Sequence, residues 1–339
     1  MVRESQFELM RIIAMVFIVF YHLFLDTTGH LWTEYPIYEG IQIPIHFGVF
    51  LFVMISGYFG IRPSFRGGGK LLIMVMVYYL PLALFFDLSN GDYFSAVKDC
   101  LIVSYPRYWF FRDYLFLFLF SPVINLFLKD ATSRQRLYLI LILSFMAIWV
   151  GSSRGCMSLL EGKNLTNFLL LYVVGDTLRV CRVMWEKIPQ WILIVSFLVL
   201  NTIMLTLWMI YHNNIMGTVI WILTFPYCSP VLYINAILVF MIIGKLRFHS
   251  RFVNWVASSA FAVYLIHYHP IVLDNIIKIG TDYIQSLCNN IPNGVIPLYF
   301  LFSLVVFCTC ILIDKLFQPV WKYVGDRCAI IDQKLNGAN

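Results

Sequence analysis

Two ionisable residues stand eleven positions apart in one long apolar stretch near the start of the chain. Arg11 and His22 lie within residues 7–28, a segment long and apolar enough to cross a bilayer as a helix. A charged residue at the centre of such a helix costs roughly 2.5 to 3.5 kcal/mol, so an ionisable pair there indicates a functional site. On a regular helix the two side chains fall within about 20° of one face and about 16 Å apart along the axis.

The type of the second residue indicates acid–base chemistry. Imidazole has an unperturbed pKa of about 6.5, which makes histidine the usual general base near neutral pH. Asp26 follows His22 by one helical turn and could hold the other ring nitrogen, but an acid at the water interface is the more ordinary interpretation. Tyr264 and His267, three positions apart, face one side of a later helix at the same predicted depth, so we expect both histidines in one chamber.

Two further segments combine charge with glycine or with aromatic residues. Arg62, Arg66 and Lys70 surround the glycines 67–69, and a flexible backbone with arginine forks is suited to binding a phosphate group. Cations at a cytoplasmic boundary are expected there in any case. Residues 108–114 carry aromatic rings and an Arg–Asp pair that could bind a sugar, and an aromatic belt at the membrane surface explains them equally well. Small residues within 52–59 favour close helix packing.

Composition identifies the elements that must position these residues. The 339 residues are 60% hydrophobic, 17% aromatic and only 12% charged, with a mean hydropathy of +0.80. An ordinary soluble domain carries about a quarter charged residues. The sequence therefore predicts an all-α, polytopic transmembrane helical bundle in the lipid bilayer, with residues 1–339 as a single transmembrane domain.

Hydropathy predicts about ten transmembrane helices. They are residues 7–28, 44–61, 70–88, 108–128, 136–151, 165–180, 190–211, 230–246, 252–268 and 295–317. Residues 217–227 are predicted to be interfacial because Pro226 and Pro230 would break a helix there. The aromatic and partly charged segment 93–104 is predicted to be interfacial as well.

Lys and Arg residues set the predicted orientation. Most of the 24 fall in alternate loops and at the two ends of the chain, which predicts that both termini are cytoplasmic. The net charge of +6 is then that of a positive-inside membrane protein, and nucleic acid is not an expected partner. The eight cysteines include no Cys-x-x-Cys pair, so no structural metal is predicted.

Four motifs in order carry a family resemblance. They are Arg11 and His22 within the first helix, residues 50–58, residues 108–110 leading to Ser121 and Pro122, and residues 263–267. With these motifs the chain resembles the acyltransferase-3 family of bacterial integral-membrane O-acyltransferases. The resemblance implies acyl-coenzyme A, by family habit acetyl-coenzyme A, as the donor, and O-acetylation of a carbohydrate hydroxyl in an exopolysaccharide or another cell-surface glycan. It also implies a multi-pass protein of the bacterial cytoplasmic membrane.

The same resemblance implies roles for particular residues. His22 would be the catalytic histidine, with Arg11 as its partner. Independently of the resemblance, the mechanism needs a neighbouring donor that stabilises an oxyanion, and Tyr264 or His267 is the candidate. Arg62 and Arg66 would bind the coenzyme, although the Arg-x3-Arg spacing differs from the closer pairing expected in the family; Lys70 is added to this site as the third cation of the segment.

A transporter or flippase of lipid-linked sugars is the alternative from another class. It should show related halves with interrupted helices near the midplane, and the sequence has no convincing internal repeat. A polysaccharide polymerase would need long, arginine-rich outward loops, whereas the predicted ones are short and poorly basic.

Overall fold

The computed structural model describes residues 4–28, 35–103, 108–152, 161–287 and 295–336, with only the backbone for 26–28 and 335–336. All regular structure within these ranges is helical, as predicted. The helices are α1 Ser5–Thr28, α2 Pro36–Gly40, α3 Gly48–Phe59, α4 Phe65–Ser89, α5 Tyr93–Cys100, α6 Trp109–Asp130, α7 Ser133–Ser144, α8 Leu165–Val180, α9 Arg182–Glu186, α10 Gln190–Tyr211, α11 Ile215–Thr224, α12 Pro230–Gly244, α13 Arg251–Ala257, α14 Ala260–His267, α15 Lys278–Leu287, α16 Val295–Leu316 and α17 Gln318–Asn336. Two π-helical segments, Phe145–Val150 and Val272–Ile277, extend α7 and precede α15.

The helices form two compact units. The first comprises Met1–Ile61 and Phe120–Ala257, and the second comprises Arg62–Leu119 and Ser258–Asn339. Helix α6 contributes its first half to the second unit and its second half to the first. Each unit is therefore assembled from segments that are distant in the sequence.

Within the residues that the structure describes, six helical segments are long and apolar enough to cross a membrane, in agreement with the predicted multi-pass membrane protein. They are Ser5–Leu25, Phe65–Ser89, Trp109–Asp130, Ser133–Val150, Gln190–Tyr211 and Val295–Leu316. A seventh span is formed if Arg251–His267 and Val272–Leu287, which meet at an 80° bend, are taken together.

The other predicted spans correspond to shorter helices. Residues 44–61 contain only the 12 residues of α3 as helix, about 18 Å at 1.5 Å per residue. A turn over 41–47 precedes α3, and Gly60 ends it with a φ of 74°. Helix α12 has 15 residues and α8 has 16. Most of the segment 217–227, predicted to be interfacial, is helical in α11, which ends at Thr224 before Pro226.

Polar contacts hold the start of α1 in the first unit. The Ser5 hydroxyl donates to Asn254 Oδ1 at 3.0 Å and accepts from the Ser250 backbone N–H at 2.9 Å. Arg182 donates to the Tyr58 hydroxyl at 3.0 Å and to Glu186 at 2.9 Å, and this bond lowers the pKa of the Glu186 carboxyl. The Ser5 contacts fix the end of the helix that carries Arg11 and His22.

In the second unit, α17 packs along α4. The Asp314 carboxylate of α16 joins them, because its Oδ1 accepts from the Tyr78 hydroxyl at 2.8 Å and from Trp321 Nε1 at 3.0 Å. A buried carboxylate with two donors fixes three helices at once.

Candidate active site

His22 is buried near the end of α1 and faces a small cavity of the first unit. The free space holds about one water molecule. The cavity is lined by Phe17, Ile18, Tyr21, His22, Ile45, His46 and Tyr227. The predicted catalytic histidine therefore reaches a cavity lined by imidazole, tyrosine and apolar side chains.

A second imidazole, that of His46, lines the same cavity from the turn before α3. Its ring stacks on the Tyr21 ring with centroids 4.4 Å apart and planes 6° apart, and the Tyr227 ring lies 4.5 Å away on a tilted plane. The Tyr21 ring also meets the edge of the His22 ring at 5.7 Å. Tyr21 thus contacts both histidines.

An asparagine pair holds the turn that carries His46. Asn235 on α12 donates to the Ile43 carbonyl at 2.9 Å, and Asn201 on α10 donates to Asn235 Oδ1 at 2.9 Å. Both amides are buried, where a hydrogen bond left unmade would cost about 1–3 kcal/mol. The turn is therefore anchored in the interior of the unit.

Asn167 on α8 holds Tyr227 in the same way. Its side-chain amide donates to the Tyr227 carbonyl at 3.0 Å and to the Gly162 carbonyl at 2.7 Å. Gly162 has a φ of 93°, and a methyl group added there would lie 2.4 Å from the Tyr227 carbonyl carbon. Glu161 before it has a φ of 53°, which is uncommon for a residue other than glycine.

Arg11 is half-buried on α1 and forms an ion pair with Glu8. The guanidinium NH1 lies 2.7 Å from Glu8 Oε1, one helical turn earlier. An acidic neighbour of this kind lowers the cost of a cation within an apolar helix. Arg11 and His22 share α1 as predicted, and the side chain of Asp26 lies outside the described residues.

The predicted pair Tyr264 and His267 belongs to the second unit. His267 is fully buried, and its Nδ1–H donates to the Val263 carbonyl at 2.6 Å, which leaves the lone pair of a neutral ring on Nε2. Tyr264 is buried in an aromatic cluster that includes Tyr108 at 5.5 Å and Phe110 at 5.6 Å.

His269 follows on the same segment and has a structural environment. Its Nε2–H donates to the Tyr79 carbonyl at 3.2 Å, and its Nδ1 accepts from the Ile271 N–H at 3.2 Å. Both ring nitrogens are thus used to join chain segments of the second unit.

The interpretation of residues 67–69 as a flexible linker is wrong. Ser64 caps α4, which begins at Phe65, so the three glycines lie in its first turns. Their small size serves packing, because a methyl group on Gly68 would lie 3.0 Å from the Phe118 ring and one on Gly69 would lie 3.0 Å from Cys328 Sγ. Helix packing, rather than backbone freedom, explains this glycine run.

The predicted coenzyme-binding cations surround the start of α4. Arg62 and Arg66 are exposed and Lys70 is half-buried. The Asp332 carboxylate of α17 accepts hydrogen bonds there from the backbone N–H groups of Phe65 at 2.7 Å and Arg66 at 2.9 Å. An anion of this chain thus occupies the helix N-terminus that the cations surround.

The aromatic segment at the start of α6 is largely buried. The Tyr108 hydroxyl donates to the Leu265 carbonyl at 2.8 Å, and Phe111 is fully buried. Arg112 Nε donates to Asp113 Oδ1 at 2.8 Å, while Oδ2 of this buried acid has no hydrogen bond within the described ranges. These contacts show a packing role for Tyr108 and Phe111 and test neither the sugar-binding nor the membrane-belt interpretation of the half-buried rings.

His46 and Glu39 are two buried ionisable residues that the sequence interpretation missed. Glu39 of α2 accepts a hydrogen bond from Trp221 Nε1 at 3.1 Å, and burial raises the pKa of its carboxyl to about 7. His46 follows Pro44 in an apolar run, so the criterion that identified His22 applies to it as well. As for metals, no group of three or more His, Cys, Asp or Glu side chains suited to a metal ion occurs in the part of the chain that the structure describes.

Comparison with known proteins identifies the family. No curated protein and no solved structure matches the chain. The acyltransferase-3 family model, described as an acyltransferase domain, matches residues 4–315, which is nearly the whole chain. The chain therefore belongs to the acyltransferase-3 family and is a membrane acyltransferase.

Proposed function

We propose that this acyltransferase moves an acyl group, by family habit acetyl, from acyl-coenzyme A to a hydroxyl of a cell-surface or exopolysaccharide sugar. The observation that carries the proposal is the burial of His22, on an otherwise apolar helix, beside a small cavity that a second histidine also lines. An ionisable side chain within lipid-enclosed protein is costly, so a buried imidazole there indicates a function.

The reaction moves one proton from the acceptor hydroxyl to His22 and then from His22 to the leaving sulfur. His22 takes the proton of the acceptor hydroxyl as the oxygen attacks the thioester carbonyl carbon. The new C–O bond forms and the carbonyl electron pair moves onto oxygen. When that pair returns, the C–S bond breaks, and the proton passes from His22 to the coenzyme A sulfur. The products are the sugar ester and the free thiol.

Donor binding is assigned to the cations at the start of α4. Coenzyme A carries phosphates, and Arg62 and Arg66 present exposed guanidinium groups that can bind phosphate oxygens in a bidentate manner, with Lys70 beside them. Arg11 is assigned to the path of the thioester or to the positioning of His22. We place these cations, both termini and the other basic loops on the cytoplasmic side of a bacterial membrane, within about ten membrane segments and one acyltransferase domain.

Tyr264 and His267 are proposed donors for the developing oxyanion. Because the Nδ1–H of His267 is donated to the Val263 carbonyl, its Nε2 can donate to an oxyanion only when the ring is protonated, since the Nε2 of a neutral ring is an acceptor. Tyr264 offers a phenolic O–H from the same helix. Replacement of Tyr264 by Phe or His267 by Gln tests these roles separately.

A sugar transporter or flippase is the second candidate function. The 80° bend between Arg251–His267 and Val272–Leu287 is the type of interrupted helix that transporters use. Family membership favours the enzyme, because it indicates acyl transfer.

Radiolabelled acetyl-coenzyme A supplied to membranes distinguishes these functions. The enzyme incorporates label into surface carbohydrate, and His22→Ala abolishes incorporation while the protein remains folded by size-exclusion chromatography. His249→Ala is the control, because His249 is an exposed histidine of the same unit. Full incorporation by folded His22→Ala would contradict the assignment, and sugar movement without label transfer would favour the transporter.

A further inference from the structure

His46 is a buried imidazole with unused hydrogen-bonding capacity. It is 6% exposed, and neither ring nitrogen forms a hydrogen bond to the described residues; the ring contacts the Phe225 backbone without hydrogen-bond geometry. A neutral imidazole has one N–H donor and one acceptor, and each buried polar atom left unsatisfied costs about 1–3 kcal/mol. His46 can therefore form a hydrogen bond to a group that enters the cavity it lines.

The position of His46 is fixed from both sides. Tyr21 stacks on one face at 4.4 Å and Tyr227 contacts the ring at 4.5 Å. The Asn235 amide anchors the turn before His46, and the Asn167 amide anchors Tyr227. Such supporting contacts are typical of groups that must be held in a productive geometry.

His46 and His22 line the same cavity. Its space is about that of one water molecule, so an oxygen atom is the size of group it accepts. A fixed donor aimed at the position where negative charge develops stabilises a transition state strongly, because no reorganisation is needed.

We infer that His46 is a second catalytic residue, whose N–H donates to the carbonyl oxygen of the transferred acyl group. This inference rests on the proposed function and assigns the oxyanion donor to the first unit instead of to Tyr264 or His267. As the acceptor oxygen attacks, the carbonyl electron pair moves onto oxygen and is stabilised by the His46 N–H. The pair returns when the C–S bond breaks, and His46 keeps its proton throughout.

Steady-state kinetics with purified protein give the first test. His46→Phe keeps an aromatic ring between the tyrosines and removes the donor, so kcat should fall about 100- to 1000-fold, as for loss of one oxyanion donor. The KM for acetyl-coenzyme A should change little. His46→Ala should lower kcat by a similar factor, and its smaller side chain cannot clash with the tyrosines. The control is His212→Phe, which should keep the wild-type kcat because His212 does not line the cavity.

The infrared band of the bound thioester carbonyl gives a readout that a merely structural role would not move. Acetyl-coenzyme A labelled with ¹³C at the carbonyl is bound without acceptor. We expect a band shifted to lower frequency in the wild type and in His22→Ala, and an unshifted band in His46→Phe and His46→Ala. Loss of the shift in His267→Gln or Tyr264→Phe, but not in His46 variants, would overturn the inference.

These measurements distinguish a wrong role for His46 from a wrong proposed function. If wild-type protein transfers acetyl groups and His22→Ala does not, but folded His46→Phe and His46→Ala turn over at the wild-type rate, only the role of His46 is wrong. If folded wild-type protein neither binds nor consumes acetyl-coenzyme A with any carbohydrate acceptor, the proposed function is wrong, and the inference about His46 is overturned with it.

Discussion

Gly57 on α3 lies directly against the backbone carbonyl of Tyr172 on α8. A methyl group added to Gly57 would lie 2.0 Å from the Tyr172 oxygen, and one added to Gly175 of α8 would lie 2.1 Å from the Met54 oxygen of α3. The two backbones are therefore in contact at reciprocal glycines. The predicted packing role of the small residues in 52–59 is confirmed.

Gly57→Ala should destabilise the protein, because the added carbon must separate two backbones rather than displace a flexible side chain. Overpacking of this type costs about 1–3 kcal/mol or more in the free energy of unfolding. Thermal unfolding followed by size-exclusion chromatography measures it. Ser56→Ala on the same helix is the control, and equal unfolding midpoints for both variants would refute the close contact.

Replacing Asp176 should destabilise the protein more than replacing Arg179, one of the two arginines that it binds. It pairs with buried Arg136 of α7 and with exposed Arg179 of its own helix. Asp176→Asn leaves Arg136 buried without a counterion and should cost about 3–5 kcal/mol. Arg179→Ala removes only the exposed partner and should cost less than about 1 kcal/mol. Similar unfolding midpoints for the two variants would be inconsistent with this pairing.

Replacing Arg62, Arg66 and Lys70 together by Gln should raise the KM for acyl-coenzyme A with little change in kcat. These residues are proposed to bind phosphates away from the reacting atoms. Because Arg62 and Arg66 are exposed, the wild-type KM should also rise with salt, and this dependence should weaken in the triple variant. Replacing Lys129 and Arg134, cations of another basic loop, by Gln is the control. An unchanged KM in the triple variant would exclude the cation site.

Glu39 should make stability depend on pH. Burial raises the pKa of its carboxyl from 4.5 to about 7, so between these values the folded state binds more protons than the unfolded state. The free energy of unfolding should therefore fall as the pH rises from 5 to 7, by at most about 3 kcal/mol. Glu39→Gln keeps an oxygen acceptor for Trp221 and should remove this slope, making the variant the more stable protein at pH 8. Parallel pH profiles of the two unfolding midpoints would contradict the assignment.

Hydropathy and proline positions predicted much of the helical structure. The long helices near residues 7–28, 190–211 and 295–317 are confirmed, since an apolar run of spanning length has few other stable structures in lipid. The segment 44–61 was predicted as one span, but the structure shows a turn followed by a short helix. An apolar turn and an apolar helix have the same hydropathy, so composition does not distinguish them when the turn is anchored by distant side chains such as Asn235.

The sequence alone determined the class of protein, its family and the unusual character of His22. Each depends on composition or on spacing within one helix, which are local properties of the chain. The tertiary structure decided that His46 and Tyr227 line the His22 cavity, that Asp332 lies at the start of α4, and that Gly57 touches Tyr172. These contacts join residues that are far apart in the sequence. Hydrophobic periodicity shows that a helix has a buried face, but not which residue of another helix will pack against it.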